Sequence, residues 1–191
     1  MSDYQSTITD AISALELLRD CEPQFDAAAA MMASALSAGG KILACGNGGS
    51  AADASHFMTE LLCRFCDDRR SLPGIALTND GSFLTATSND YGFDHVFARQ
   101  IEGLGNEGDV LVAITTSGNS SNVLAALETA NAKGLQTIAL LGRDGGETKG
   151  VADIDFIVPH QTTARIQEAQ KVLIHAFCAA IEQQLGLVPA S

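Results

Sequence analysis

The chain has 191 residues, 46% hydrophobic and 18% charged, which suits one ordinary domain with a buried core and excludes a disordered chain. Its formal net charge of −12 argues against broad nucleic-acid contact, which needs clustered Lys and Arg, though backbone N–H groups can still hold one small phosphate. No run of about 18 apolar residues is present to cross a membrane, and Met1-Ser2-Asp3-Tyr4 lacks the basic start and apolar stretch of a secretory signal, so a cytoplasmic protein is expected.

Two helical segments come first. Ile8, Ile12, Leu15, Leu17 and Leu18 recur at roughly helical spacing, and a second run from Phe25 reaches Leu36 before Gly39-Gly40 ends it. Strands and helices then alternate. Lys41 to Cys45 reads as a buried strand, followed by a glycine loop and a helix to about Cys63; Leu72 to Thr78 reads as a second strand. Helical pieces are expected around Phe83–Thr87 and Asp94–Leu104, a third strand from Asp109 to Thr115, and a helix over Asn119–Ala132. Thr137 to Leu141 and Ile154 to Val158 add two strands, and an amphipathic helix from about Thr163 to Leu185 closes the chain. Short apolar strands alternating with helices predict an α/β fold with a parallel sheet covered on both faces. The expected organisation is one domain over 1–191, with N-terminal helices in 1–39 and the α/β core in 40–191. Ligands of such sheets bind at the carboxyl ends of the strands, which directs attention to the loops after Cys45, Thr78 and Thr115.

The five cysteines are an odd number in a chain without a signal, and most are expected as buried free thiols. Cys63-Arg64-Phe65-Cys66 has redox or zinc spacing, but it has no second Cys pair and is placed late in a helix, so neither role is assigned.

Two loops carry the chemistry. Gly46-Asn47-Gly48-Gly49-Ser50 joins strand to helix, where glycines allow close backbone approach and the helix start offers free N–H groups to an anion. Thr115-Thr116-Ser117-Gly118-Asn119-Ser120-Ser121 does the same with a dense set of hydroxyls. Helix capping accounts for one such residue, not for the whole run, and phosphate takes O–H and N–H donors together. A third group lies on helices: His56 and Glu60 are four apart and share a face, while Gln167 and His175 are eight apart, about 80° around and 12 Å along an ideal helix. Their side chains are long enough to converge on one site. His95 and His160 are read as surface, packing or loop residues.

With these residues together, the chain resembles the sugar isomerase (SIS) superfamily and, within it, the phosphoheptose isomerases. The resemblance covers nearly the whole chain and is sharpest at Cys45–Ser50 with His56 and Glu60, at Asn89-Asp90-Tyr91-Gly92-Phe93, at Thr115–Ser120, and at Arg165-Ile166-Gln167-Glu168 with His175. It implies a flavodoxin-like five-stranded SIS fold, assembled as a homotetramer with active sites at subunit interfaces. It further implies substrate contacts from Asn47, Gly48, Gly49, Ser50, Glu60, Asn89, Asp90, Thr115, Thr116, Ser117, Ser120 and Gln167, with Glu60 and His175 as the acid–base pair. Zinc, one per subunit, would fall to His56, Glu60, Gln167 and His175. Thr115 stands where the family has serine, which keeps the hydroxyl, and the segment His160 to Ala164 is one residue shorter than in the family.

The implied reaction converts sedoheptulose 7-phosphate to D-glycero-D-manno-heptose 7-phosphate, the first step toward nucleotide-activated heptose for lipopolysaccharide. A 2-ketose becomes an aldose when a proton moves between C1 and C2 through an enediol. A carboxylate can carry that proton, and a histidine titrates in the range needed to serve the oxygens. Two other classes share the fold: a tetrameric adaptor that binds the replication initiator, and a sugar-phosphate sensor. The adaptor predicts loss of the acid–base residues, which are present here. The sensor predicts a partner domain, for which this chain has no room.

Overall fold

The computed structural model describes residues 3–188; Met1 and Ser2 of the N-terminal stretch, and residues 189–191, lie outside the described residues. Helix α1, Tyr4–Glu16, is followed by a 3-10 turn at Arg19–Cys21 and by α2, Glu22–Ser37, with Pro23 in its first turn, where a missing N–H costs nothing. Then come β1 (Ile42–Gly46), α3 (Gly49–Leu62), β2 (Gly74–Ala76), α4 (Gly81–Tyr91), α5 (Ala98–Leu104), β3 (Val110–Thr115), α6 (Ser121–Ala132), β4 (Gln136–Gly142), β5 (Ile154–Val158) and α7 (Thr163–Gln184).

All neighbouring strands pair in parallel, in the order β2-β1-β3-β4-β5. This is the flavodoxin-like order, and it reverses between β1 and β3, where such sheets open a crevice at their carboxyl edge. The strands are mainly apolar because both faces are covered, with polar residues such as Thr115, Gln136 and Asp155 toward the strand ends and the edge strand. Ile42, Ala44, Val112, Ile114 and Leu140 pack beneath α2, α3 and α7, and the alternate residues Leu43, Cys45, Leu111, Ala113 and Leu141 pack beneath α5 and α6. Helix α7 is anchored by Phe177, whose ring stacks on Phe25 at 5.1 Å and meets Phe156 edge-on at 5.5 Å. Among the described residues no helix is long and apolar enough to cross a membrane.

Several boundaries differ from expectation. The second strand shrinks to Gly74–Ala76 at the sheet edge, since Pro73 has no N–H to give a ladder. Helix α4 is one continuous element, started by the Asp80 carboxylate accepting from the Phe83 N–H at 3.0 Å. Helix α6 begins at Ser121, two residues later than predicted, because Gly118 turns the chain with φ +68°. Cys63 and Cys66 are not inside a helix: α3 stops at Leu62, and both thiols are exposed. Of the five cysteines only Cys45 and Cys178 are buried, fewer than composition suggested. His95 is exposed in a 3-10 turn, and His160 accepts from the Thr162 N–H in a loop, in line with their plain readings.

Candidate active site

The carboxyl ends of β1 and β3 open into a cavity of about 260 Å³ lined by Asn47, Gly49, Ser50, Ile114, Thr115, Thr116, Ser117, Ser120, Thr163 and Gln167. Three helices start at this cavity: α3 with Gly49 and Ser50, α6 with Ser120 at its N-cap, and α7 with Thr163. Each helix start carries free N–H groups and partial positive charge. The lining includes no Lys or Arg, so helix starts and hydroxyls are what an anion would meet there.

The hydroxyls face one another. Thr115 Oγ1 lies 3.1 Å from Ser120 Oγ and 3.4 Å from Ser117 Oγ. Ser120 makes no side-chain capping bond to α6, so capping does not explain this serine. Gly118 is required here: a Cβ would stand 2.0 Å from the Gly145 carbonyl oxygen, and φ is positive. Gly49 has a different constraint, since its Cβ would meet Gln167 Nε2 at 2.3 Å. The glycine therefore lets α3 and α7 close on each other at the cavity rim.

From that rim the two helices run side by side with polar pairs between them. Gly49 meets Gln167, then Asp53 takes Lys171 Nζ at 2.5 Å, and His56 Nε2 reaches His175 Nε2 at 3.0 Å. His56 Nε2 is also 3.3 Å from Glu60 Oε1. Positions 49, 53, 56 and 60 repeat at helical spacing, as do 167, 171 and 175, so one face of each helix supplies the line. The Phe65 ring packs 5.7 Å from the His175 ring. The structure thus brings His56, Glu60 and His175 into one cluster, and puts Gln167 at the cavity end of the same seam.

Zinc takes N and O donors at about 2.0–2.1 Å, and a tetrahedron of such bonds has edges of roughly 3.3 Å. Two imidazole nitrogens 3.0 Å apart and a carboxylate oxygen 3.3 Å from one of them are donors of that type, with two of the edges near that length. Among the described residues no three His, Cys, Asp or Glu side chains hold such a site by themselves. The contacts converge on His56, and the fourth donor the resemblance assigns, Gln167, packs against Gly49 instead.

Not every expected residue reaches the cavity. Asn89 and Asp90 are exposed near the end of α4, where the Asn89 amide donates to the Asp90 carboxylate at 2.7 Å. Gly48 lines a smaller neighbouring cavity of about 160 Å³ with Phe93 and Phe97. Asn47 borders both cavities and is locked by a double amide pairing with Asn122, at 2.8 and 2.9 Å. Asn122, Thr163, Asp53 and Lys171 were missed by sequence reading. Thr163, as the first residue of a long helix at the carboxyl edge, carried the one signal that could have found it.

A family model described as SIS domain matches residues 3–142. The phosphoheptose isomerase of Citrifermentans bemidjiense is 52% identical over 166 residues, 87% of this chain and 86% of that protein. The solved phosphoheptose isomerase of Neisseria gonorrhoeae is 46% identical with a TM-score of 0.87, covering 93% of this chain and 96% of that one. That of Francisella tularensis is 42% identical with a TM-score of 0.86, covering 94% of each chain. The chain belongs to the SIS-domain family, among the phosphoheptose isomerases.

Proposed function

We propose that the chain is an aldose–ketose isomerase converting sedoheptulose 7-phosphate to D-glycero-D-manno-heptose 7-phosphate. The observation that carries this reading is the α3–α7 seam, which joins an anion-suited cavity at one end to a carboxylate and an imidazole at the other. Gln167 and His175 mark its ends, about 12 Å apart along an ideal helix. Between them the Asp53–Lys171 pair bridges the two helices, so the sugar would lie along the seam and not within it.

The phosphate would sit among Ser50, Thr115, Thr116, Ser117 and Ser120, at the starts of α3, α6 and α7. Glu60 takes the proton from C1 of the open-chain ketose and returns it to C2 of the enediol. His175 moves the hydroxyl proton from O1 to O2, so the overall change is an isomerisation with no outside oxidant or reductant. His56, Glu60 and His175 would hold zinc, and Gln167 would have to leave its packing against Gly49 to join them. Bound there, zinc supplies Lewis-acid polarisation of the carbonyl and stabilises negative charge on its oxygen. A carboxylate held tightly by metal is a hindered base, so a metal-free enediol route is the second reading.

The same family reading gives a cytoplasmic homotetramer. α3 and α7 already meet within one chain, so subunit assembly is not needed to unite them. Support for self-association comes instead from Tyr4, Ile8 and Ile12 on α1 and Val172 on α7, large apolar side chains left exposed. The deciding experiment is conversion of sedoheptulose 7-phosphate by purified protein, with and without a chelator. Turnover abolished by chelator and restored by zinc supports the metal route, turnover unaffected by it supports the metal-free one, and no turnover in either sample overturns the isomerase.

A further inference from the structure

Helix α3 ends at Leu62, two residues after Glu60, and a single side chain receives that end. Arg69 Nη2 donates to the Glu60 carbonyl oxygen at 2.6 Å, and Nη1 donates to the carbonyl oxygens of Leu61 at 2.7 Å and Arg70 at 3.0 Å. The last carbonyls of a helix have no partner within it, and a cation suits the negative end of its dipole. Arg69 meets both needs. Its Nε donates across the molecule to Glu182 Oε1 at 2.7 Å, and the two side chains are each 2% exposed.

Glu182 has a second task. The same Oε1 accepts from the Phe65 N–H at 3.2 Å, which fixes the loop whose Phe65 ring packs against His175. Glu182 also lies on α7, two helical turns beyond His175. The pair therefore grips the backbone of the base on one helix and the ring-stacking neighbour of the histidine on the other. A buried ion pair is a poor source of stability, because desolvation cancels most of its attraction. Its placement at the end of the reacting seam calls for another account.

We propose that Arg69 and Glu182 are positioning residues for isomerisation. They lock the end of α3 to α7, so that the Glu60 carboxylate and the His175 imidazole hold their separation through turnover. Neither touches the substrate. The inference rests on the isomerase reading above and adds to it the device that sets the geometry of the acid–base pair.

Arg69→Lys tests this, since it keeps a cation opposite Glu182 but replaces a planar fork with one ammonium that cannot span two helix carbonyls and a carboxylate. Wild type and variant are compared by melting, by steady-state kinetics on sedoheptulose 7-phosphate, and by the NMR resonance of the His175 ring proton, assigned with His175→Gln. Misplacement of about 1 Å costs up to a hundredfold in rate, so kcat is expected to fall roughly ten- to hundredfold. KM should stay within about threefold, as for an interaction realised only in the transition state. The His175 resonance should shift as the Phe65 ring moves. A merely structural pair would lower the melting temperature and leave kcat of the folded variant unchanged. Should Arg69→Lys not fold, Glu182→Asp, which draws the carboxylate back from both Arg69 and the Phe65 N–H, carries the same expectation. Wild-type kcat or an unmoved His175 resonance in the folded variant overturns the proposal. If wild type itself shows no isomerisation, the isomerase reading fails, and the His175 resonance alone decides whether the pair sets this geometry.

Discussion

His56 Nε2 stands 3.0 Å from His175 Nε2 and 3.3 Å from Glu60 Oε1, so one nitrogen is the meeting point of both helices of the seam. A single ring N–H cannot donate well in two directions. The cluster is therefore built to share a proton or a cation, and loss of any one member should be felt by the other two.

Glu60 separates catalysis from binding most cleanly. Glu60→Gln keeps size and hydrogen bonding but removes the base, so kcat should fall by about 10²-fold or more. Binding of the sugar phosphate should persist, because Ser50, Ser117 and Ser120 line a cavity that Glu60 does not. Steady-state kinetics and calorimetry of the folded variant check both; wild-type turnover would sink the mechanism.

Ser120→Ala should weaken binding without harming the fold. Its hydroxyl faces Thr115 and makes no capping bond to α6, and a hydrogen bond to a charged group is worth about 1.5–3 kcal/mol. KM should rise accordingly while the melting temperature stays put. An unchanged KM would remove Ser120 from the anion pocket.

Gly49→Ala probes the rim where α3 and α7 close. The added methyl would stand 2.3 Å from Gln167 Nε2, the far end of a flexible side chain, so Gln167 is expected to swing away at modest cost in stability. Substrate affinity should drop with little change in melting. Unaltered affinity would show that Gln167 does not shape the pocket.

The proposed homotetramer predicts a particle near four times the chain mass of 19.9 kDa. Light scattering on the purified protein measures this directly. A fully active monomer would contradict it.

The cysteines should divide by environment. Burial pushes the Cys45 thiol up to about 12, and burial with the nearby Glu60 and Glu182 carboxylates raises Cys178 strongly. Thiolate is the reactive form, so at neutral pH both should resist a maleimide until the protein unfolds. Cys63 and Cys66 are exposed and should react first, adding two labels by mass before the half-buried Cys21, whose thiol burial and Asp20 push up. Native labelling of Cys45 at the rate of Cys63 would contradict the core described here.

Much of this architecture was legible because it is written in local pattern. The apolar runs at Lys41–Cys45 and Asp109–Thr115 and the loops after them announced a parallel sheet with its site at the carboxyl edge. Boundaries were missed where one residue's geometry prevailed over pattern, as with Pro73 at the edge strand and Gly118 before α6. The hydroxyl-lined loop at Thr115–Ser120 was readable because those residues are consecutive. The seam was legible only in part: His56, Glu60 and His175 were grouped in advance, but the Asp53–Lys171 and Arg69–Glu182 pairs that flank them, the latter 113 residues apart, were not. No periodicity in one helix reveals which residue of another lies opposite. Asn89 and Asp90 show the converse: their motif pointed to the site, yet α4 holds them away from the cavity within one chain.

Helix α3 begins at the anion cavity and carries Glu60 near its other end. One extra residue inserted between Ser50 and His56 would leave Gly49 and Ser50 where they are and turn everything beyond by about 100°. His56 and Glu60 would then point away from α7, and Phe57, Met58 and Leu61 would turn out of the core with them. On this helix one register serves both folding and catalysis, so a change of length cannot remove the second and spare the first.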